Sequence, residues 1–585
     1  MSHFLSEEFP VPLAVASILA IFVVLAGDWA AQLGYSFVMA SVLAVILLIA
    51  GWIKVASGVP SRGIVSSGTS SLLLLTALAL AIPFIILPVP LDTDAQGFGY
   101  LSLMIRQGGT INSLSPWHPE ISFLYSPGAL LIFATLSRFF AKVPISAVMM
   151  GATHAIAFFF VWLAGVFGYE LGSRLPAWSF AAMFSAALSI GLWTALLDSH
   201  YTAIFGLFFA LAFLTSLFRF LRTGKRVDFA TMAILLAAIF MTHSDTTIIV
   251  LLSLVSFFFS FWFAVDRPSN KQWLQVSFGV PIAALILSLP WLIRIWPLLE
   301  SGIQSPFQGW LAGWKVSLLY HGLLWPVLGA IGAAIYIRFR QLWAIMMVLW
   351  LILSFEFSTF GFLSGTQLFR FNYPFSIAWH APIIPYIALG SGALVSIAQR
   401  VQVRSVFRAA TASVAILLLC GMTSSHLLSF SKRHLAIYGA FATANDIQAM
   451  CWLRDHTEVN VRILNYPGDY EHLRDWEAHW APVITERDCV YFRRQPFYNI
   501  SNYPEQESFL AFWRNPADIA NAELLKQSRI SYVLLPESVG DPSSLERSWR
   551  WQPPAMLEHV QSMPKDASYL KLAYQSGGAQ VYEVR

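Results

Sequence analysis

Apolar runs about as long as a bilayer is thick recur along the first 430 positions, near residues 11–27, 34–55, 70–90, 127–141, 146–168, 177–197, 201–221, 229–243, 246–265, 274–297, 314–337, 341–362, 377–399 and 409–428. Apolar surface on that scale has nowhere to go except lipid, so the pattern predicts a polytopic helical membrane body. Beyond residue 430 the runs stop. A helical period over Asp446 to Asp455 and strand-like runs at Val461 to Asn465, Ser531 to Leu535 and Ala579 to Val584 replace them, which predicts a separate α/β domain. The chain thus divides into a transmembrane domain, 1–429, and a C-terminal domain, 430–585, large enough for its own core.

Lys and Arg in short connections mark the cytoplasmic side of a membrane protein. The basic connections are Lys54/Arg62, Arg174, Arg219/Arg222/Lys225/Arg226, Arg267/Lys271, Arg338/Arg340 and Arg400/Arg404/Arg408. Fourteen full crossings would put some of them outside. If the run 127–141 does not cross, all six fall inside. That run is short, opens on Pro127-Gly128 and ends in Arg138 and Lys142, so it is expected to lie in the interface or re-enter. About thirteen spans remain, with the N-terminus cytoplasmic and the C-terminal domain extracytoplasmic. The first hydrophobic run lacks a basic n-region and a small-residue cleavage site, so it reads as a retained helix in a plasma-membrane protein.

Composition agrees: 57% of residues are hydrophobic and 12% charged, about half the charged share of a soluble domain. The net charge of +4 is spread over loop ends rather than gathered in a patch, which argues against a nucleic-acid partner. Three cysteines carry no metal spacing, although Cys451 and Cys489 could pair if the domain is outside the cell. No phosphate-binding glycine loop is present, which disfavours a nucleotide-driven pump.

The outward connections have a different character. Residues 91–126 form the first long loop, opening with Asp92 and Asp94 directly after a span. A carboxylate at that depth is costly and is a functional candidate, although an Asp before a helix also serves as a cap. A helix-like stretch continues to Arg106, followed by Gly108-Gly109, Trp117-His118-Pro119-Glu120 and Tyr125-Ser126-Pro127-Gly128. Asp198 and His200 share the next outer turn, and His243 and Asp245 another. Arg294, Lys315 and Arg370 are further cations on this side. His154, His380 and Glu356 lie inside apolar runs and are expected to face the bundle interior with their hydrogen bonds satisfied. Trp476, Trp480, Tyr491 and Phe492 of the C-terminal domain are either core or faces for sugar rings or a protein partner.

An acidic motif after a span, an interfacial helix with an aromatic residue and a closing glycine, and a proline-containing entry to the next run resemble the GT-C superfamily of integral-membrane glycosyltransferases. That group includes aminoarabinose transferases, protein O-mannosyltransferases and mycobacterial arabinofuranosyltransferases. Asp94, Tyr100, Gly108/Gly109 and the Tyr125 to Gly128 segment carry the likeness, with Leu197-Asp198-Ser199-His200 as a second outer turn and WLRDHTEVNVRILNYPGDY as the opening of an attached outer domain. One departure stands out: many members have Asp-Glu where this chain has Asp94-Ala95.

The resemblance implies transfer of a sugar from a polyprenyl-phosphate donor to a cell-envelope glycan, lipid or protein acceptor at the outer membrane face. Asp94 would be the general base, with Asp92 its rival. Arg370, with Arg294 and Lys315 behind it, would receive the donor phosphate. Asp198, His200, His243, Asp245, Tyr100 and His118 would contact substrate. Asp94, Asp198 and Asp245 would ligate a divalent cation, Mg or Mn, if the enzyme uses one. Membrane lipid and membrane-protein partners of the C-terminal domain complete the expected contacts. The rival classes are a non-catalytic lipid-binding or scaffold subunit of a membrane assembly, and a lipid or glycolipid transporter; a transporter would show internal repeats and charged or broken helices at mid-bilayer.

Overall fold

The computed structural model describes residues 10–35, 43, 67–300, 309–363, 373–400, 405–438, 442–467, 480–492, 504–544 and 557–585. Among them, eight helices are long and apolar enough to cross a membrane: Val11–Leu33, Gly68–Ile86, Ile145–Leu171, Pro176–Leu197, Tyr201–Thr223, Ser244–Phe263, Leu342–Phe360 and Pro374–Arg400. The count reaches ten if each of two bent pairs is one span. Arg226–Thr242, of 17 residues, and Ser405–Tyr438, of 34, are further helices of the bundle region. The run expected at 34–55 lies outside the described residues, apart from residues 34, 35 and 43. The protein is a multi-pass helical membrane protein.

Two of the expected single spans are bent. Asn270–Leu287 meets Leu289–Pro297 at 71°, and Trp314–His321 meets Leu324–Arg338 at 100°. The first bend falls at Ser288, just before Pro290, whose ring removes a backbone donor. The second falls at Gly322, which has φ +63° and would bring an added Cβ to 2.7 Å from Ile190.

The helix Gly128–Phe139 has 12 residues, about 18 Å at 1.5 Å per residue and short of the roughly 30 Å of bilayer hydrocarbon. It is buried for nearly its whole length, so it does not lie open on the membrane surface. Gly128 packs on Met241 and Thr242. Tyr35 hydrogen-bonds Thr135, and Arg138 donates to the carbonyl of Arg106 at 3.2 Å.

The first long loop contains the helix Asp94–Gly108 and a small hairpin of β1 (Ser113–Leu114) and β2 (His118–Ser122). Every residue from Ala95 to Arg106 is buried. A loop helix resting on a membrane surface would keep one wet face; this one is enclosed between the bundle and the C-terminal domain. That domain is built on a mixed five-stranded sheet of β3 (Arg462–Asn465), β4 (Asp488–Cys489), β5 (Ile530–Leu535), β6 (Leu570–Ser576) and β7 (Ala579–Val584), in the order β4-β3-β5-β7-β6. β3 runs parallel to β4 and β5, while β7 is antiparallel to β5 and β6. Thr443 and Asp446 close a capping box at the start of its first helix, Ala444–His456. Cys420, Cys451 and Cys489 are all free thiols.

At the end of the bundle opposite the first loop, charges are buried in balance. Arg219 pairs with Glu170 at 3.8 Å and Asp228 at 3.3 Å, and Arg222 pairs with Glu170 at 2.9 Å. Thr223 donates to the second oxygen of Asp228 at 3.0 Å. These contacts tie the helices Ile145–Leu171, Tyr201–Thr223 and Arg226–Thr242 at the basic cluster. Removing one partner strands a buried charge. Asp228→Ala is expected to cost about 3–5 kcal/mol and to lower the thermal midpoint of detergent-solubilised protein, measured by fluorescence; an unchanged midpoint would show that the network contributes nothing.

Candidate functional site

Four connections meet at the end of the bundle that carries the first loop. The helix Asp94–Gly108 starts there, and the turn Asp198-Ser199-His200 joins the helices Ile190–Leu197 and Tyr201–Thr223. His243 separates Arg226–Thr242 from Ser244–Phe263, and the helix Pro374–His380 arrives from a fourth direction.

Asp92 links the first two. Its carboxylate accepts the Asp94 N–H at 3.0 Å, so it caps the helix from one residue outside its N-cap, and its own N–H donates to the Ser199 hydroxyl at 3.2 Å. Ser199 adopts φ +53°, the left-handed turn that lets Asp198 and His200 both look inward. Asp92 and Asp198 are buried and within hydrogen-bond reach of each other. Burial, followed by the charges of Asp198 and Asp94, pushes Asp92 well above the ordinary carboxylate range. Two buried carboxylates that close share one proton more readily than they carry two charges.

His200 lies between the acids. Its Nε2 is 3.0 Å from Asp198 Oδ2 and 3.7 Å from Asp94 Oδ2. Its Nδ1 is 3.0 Å from His380 Nε2, and its ring centre is 4.2 Å from that of Trp379, which stacks on Tyr320. Burial alone would lower the His200 pKa. The Asp198 charge and hydrogen bond, with the charges of Asp94 and Asp245, outweigh it and the value rises. His243, by contrast, is pushed down to about 3 by burial and by the His200 charge; its Nδ1 accepts the Thr246 N–H at 3.2 Å. Asp245 accepts from the Ser376 hydroxyl. Tyr125 donates to or accepts from Thr202 at 2.8 Å and meets the edge of His243.

Six of the residues singled out by sequence, Asp92, Asp94, Asp198, His200, His243 and Asp245, come together here. Asp94 differs from the rest: its side chain is 27% exposed, against 4% for Asp198. The other expected site residues go elsewhere. Tyr100 and His118 are buried in the seam with the C-terminal domain, stacked on Phe492 at 5.0 and 4.6 Å. Burial lowers the His118 pKa, with Asp488 and Glu120 partly offsetting it. Arg294 holds the first loop: it donates to Asn112 Oδ1 at 2.9 Å, to Phe123 O at 2.9 Å and to Ile111 O. Lys315 is exposed beside Trp314. Arg370 lies outside the described residues. Trp480, Tyr491 and Phe492 are buried, which makes them core rather than open sugar platforms.

Among the described residues, no group of three or more His, Cys, Asp or Glu side chains is placed to hold a metal ion. The three carboxylates expected as ligands are separately engaged: Asp198 with His200 and Asp92, Asp94 beside His200, and Asp245 with Ser376.

His380 faces the interior, as expected, and its hydrogen-bond partner is His200, which makes it the second imidazole of the cluster. An ionisable side chain inside an apolar run was the available signal. His154 bonds the Leu80 carbonyl at 2.7 Å and Glu356 accepts two backbone N–H groups, so those two are satisfied structural residues.

No family model and no curated protein sequence matches this chain. Solved structures do. The chain is similar to the apo oligosaccharyltransferase of Archaeoglobus fulgidus, with a TM-score of 0.50 at 12% identity over 81% of this chain and 70% of that one. It is similar to a mutant form of the mycobacterial arabinofuranosyltransferase AftD, with a TM-score of 0.53 at 16% identity over 87% of this chain and 41% of that longer one. It is also similar to apo ArnT from Cupriavidus metallidurans, with a TM-score of 0.52 at 13% identity over 88% of this chain and 98% of that one. The chain shares the membrane fold of these three structures.

The charged His200 gives a pH signature. A folded-state pKa above the imidazole value of 6.5 means that the charged His200 contributes stability fully present below pH 6.5 and lost as pH rises through the folded value. The thermal midpoint of the wild type is expected to fall across that window, and the fall to be smaller in His200→Gln. Parallel curves for the two proteins would refute a charged His200.

Proposed function

We propose that this protein is a membrane glycosyltransferase that moves a sugar from a polyprenyl-phosphate donor to a hydroxyl of a cell-envelope glycan, lipid or protein at the outer face of the membrane. The observation that carries this reading is the placement of Asp94: a partly exposed carboxylate at the first turn of a buried helix, in a cluster whose other acids are buried, within the GT-C fold.

The reaction needs a base. As the acceptor oxygen attacks the anomeric carbon, the bond from that carbon to the donor phosphate breaks, the acceptor proton passes to Asp94, and the lipid phosphate leaves with the bonding pair. His200 serves this step from behind. Its positive charge, 3.7 Å away, balances Asp94 and is itself held by Asp198. Asp92 supports the geometry as a neutral acid that caps the helix and hydrogen-bonds Asp198, so the choice between the two loop carboxylates falls on Asp94.

The leaving phosphate needs a cation. Arg294 donates to loop carbonyls, and this reading assigns the role to Arg370, with Lys315 behind it. The basic connections at the far end of the bundle support placing that end in the cytoplasm and the site outside. The neighbours support the fold-level part of the reading: one is an oligosaccharyltransferase and another an arabinofuranosyltransferase.

Membranes supplied with labelled polyprenyl-phosphate sugar provide the test. Asp94→Asn is expected to lower transfer by about 10²–10⁴-fold, the usual worth of a general base. Asp92→Asn keeps a neutral side chain with an oxygen for the helix cap and is expected to lose less than about tenfold. Undiminished transfer by Asp94→Asn would remove it as the base. Absence of transfer by the wild type to any envelope acceptor would favour a scaffold role.

A further inference from the structure

We infer that Glu486, in the C-terminal domain, is a positioning residue for Asp94, so that this domain is a working part of the site. The inference rests on the reading of Asp94 as the base. Glu486 holds the last turn of the Asp94–Gly108 helix with two groups at once. Its carboxylate pairs with Arg106, with both side chains largely buried, and its main-chain carbonyl accepts Gln107 Nε2 at 3.2 Å. Presenting both requires φ +56° at position 486, a conformation that residues with a Cβ rarely adopt. Strain of that kind persists where surrounding contacts impose it.

The surrounding contacts are provided by Arg487. Its guanidinium donates to the carbonyls of Arg454 at 2.7 Å, Thr457 at 2.8 Å and Thr485 at 3.2 Å, which fastens the 486 turn to the end of the Ala444–His456 helix. Further along the site helix, Gly99 leaves space for Val483; a Cβ there would lie 2.7 Å from Val483 Cγ1. Tyr100 stacks on Phe492 one residue later. From the bundle side, Arg138 donates to the Arg106 carbonyl. The C-terminal domain therefore grips the helix at its middle and at its end.

Asp94 lies twelve residues from Arg106, about 18 Å along the axis. A helix fixed at those two places cannot roll, and the direction of its first-turn carboxylate is set from the far end. Without the clamp, the helix would keep the Asp92 cap and its contacts with the bundle but lose the wall that fixes its roll. Misplacement of a reacting group by about 1 Å can cost on the order of 10²-fold in rate.

The test uses the full-length protein in lipid nanodiscs, with two variants that break the same contact from opposite sides, Glu486→Gln and Arg106→Gln. Hydrogen exchange is expected to rise across residues 94–108 in both, with β5 to β7 protected as in the wild type. In the transfer assay kcat is expected to fall by about 10–100-fold with the donor KM within about twofold, and Glu486→Asp to recover part of the loss. Wild-type exchange over 94–108 in either variant, or exchange that rises equally across the C-terminal sheet, would overturn the positioning role. If the wild type shows no transfer, the reading of Asp94 fails, and the exchange pattern still decides whether the domain clamps the helix.

Discussion

The structure turns on the enclosure of one short helix. Residues 95 to 106 are buried on every face, although they belong to a loop between membrane spans, where one face would ordinarily meet water or headgroups. Enclosing them needs three bodies: the bundle below, the Gly128–Phe139 helix alongside, and the C-terminal domain above. Small residues make the approach possible at Gly99 and Gly108, where an added Cβ would strike Val483 and the Ser115 backbone. In return the helix carries a carboxylate to the place where the turns at 198–200 and 243–245 converge.

That convergence would be unaffordable for unpaired charge. The arrangement that resolves it is a chain in which burial and neighbouring charge hold Asp92 above the carboxylate range, Asp198 faces one ring nitrogen of His200, and His380 faces the other. One carboxylate, Asp94, keeps access to the outside. Burial therefore separates two acids only two positions apart in sequence, enclosing Asp92 and leaving Asp94 partly open. The opposite end of the bundle shows the same rule, with Arg219, Glu170 and Asp228 balancing one another out of water.

Much of this was legible in the residues. Apolar runs located the spans, and the few charges inside the membrane body divided into basic connections at one end and acids with histidines at the other. The gathering of Asp92, Asp94, Asp198, His200, His243 and Asp245 followed from that division, because helices of bilayer length bring alternate loops to one level. The packing of Tyr100 and His118 on Phe492 was hidden because periodicity reports that a face is buried without naming the partner, which here lies nearly four hundred positions away. Arg294 looked like a phosphate ligand because an isolated cation at a helix end has the same signature whether it binds a ligand or backbone carbonyls. The two bends were hidden for a similar reason: hydropathy averages over the window in which Ser288 and Gly322 break the helix.

The distance in sequence between Gln107 and Glu486 has a consequence for assembly. Their contact spans 379 positions, and contacts so far apart close late, after the intervening chain has paid its ordering entropy. The spans can insert, and the buried network at the basic end can form, while the helix that bears Asp94 still lacks its upper wall. The carboxylate comes into register when the last quarter of the chain has been made and folded. The membrane scaffold can thus form first, and the walls around the Asp94–Gly108 helix close last.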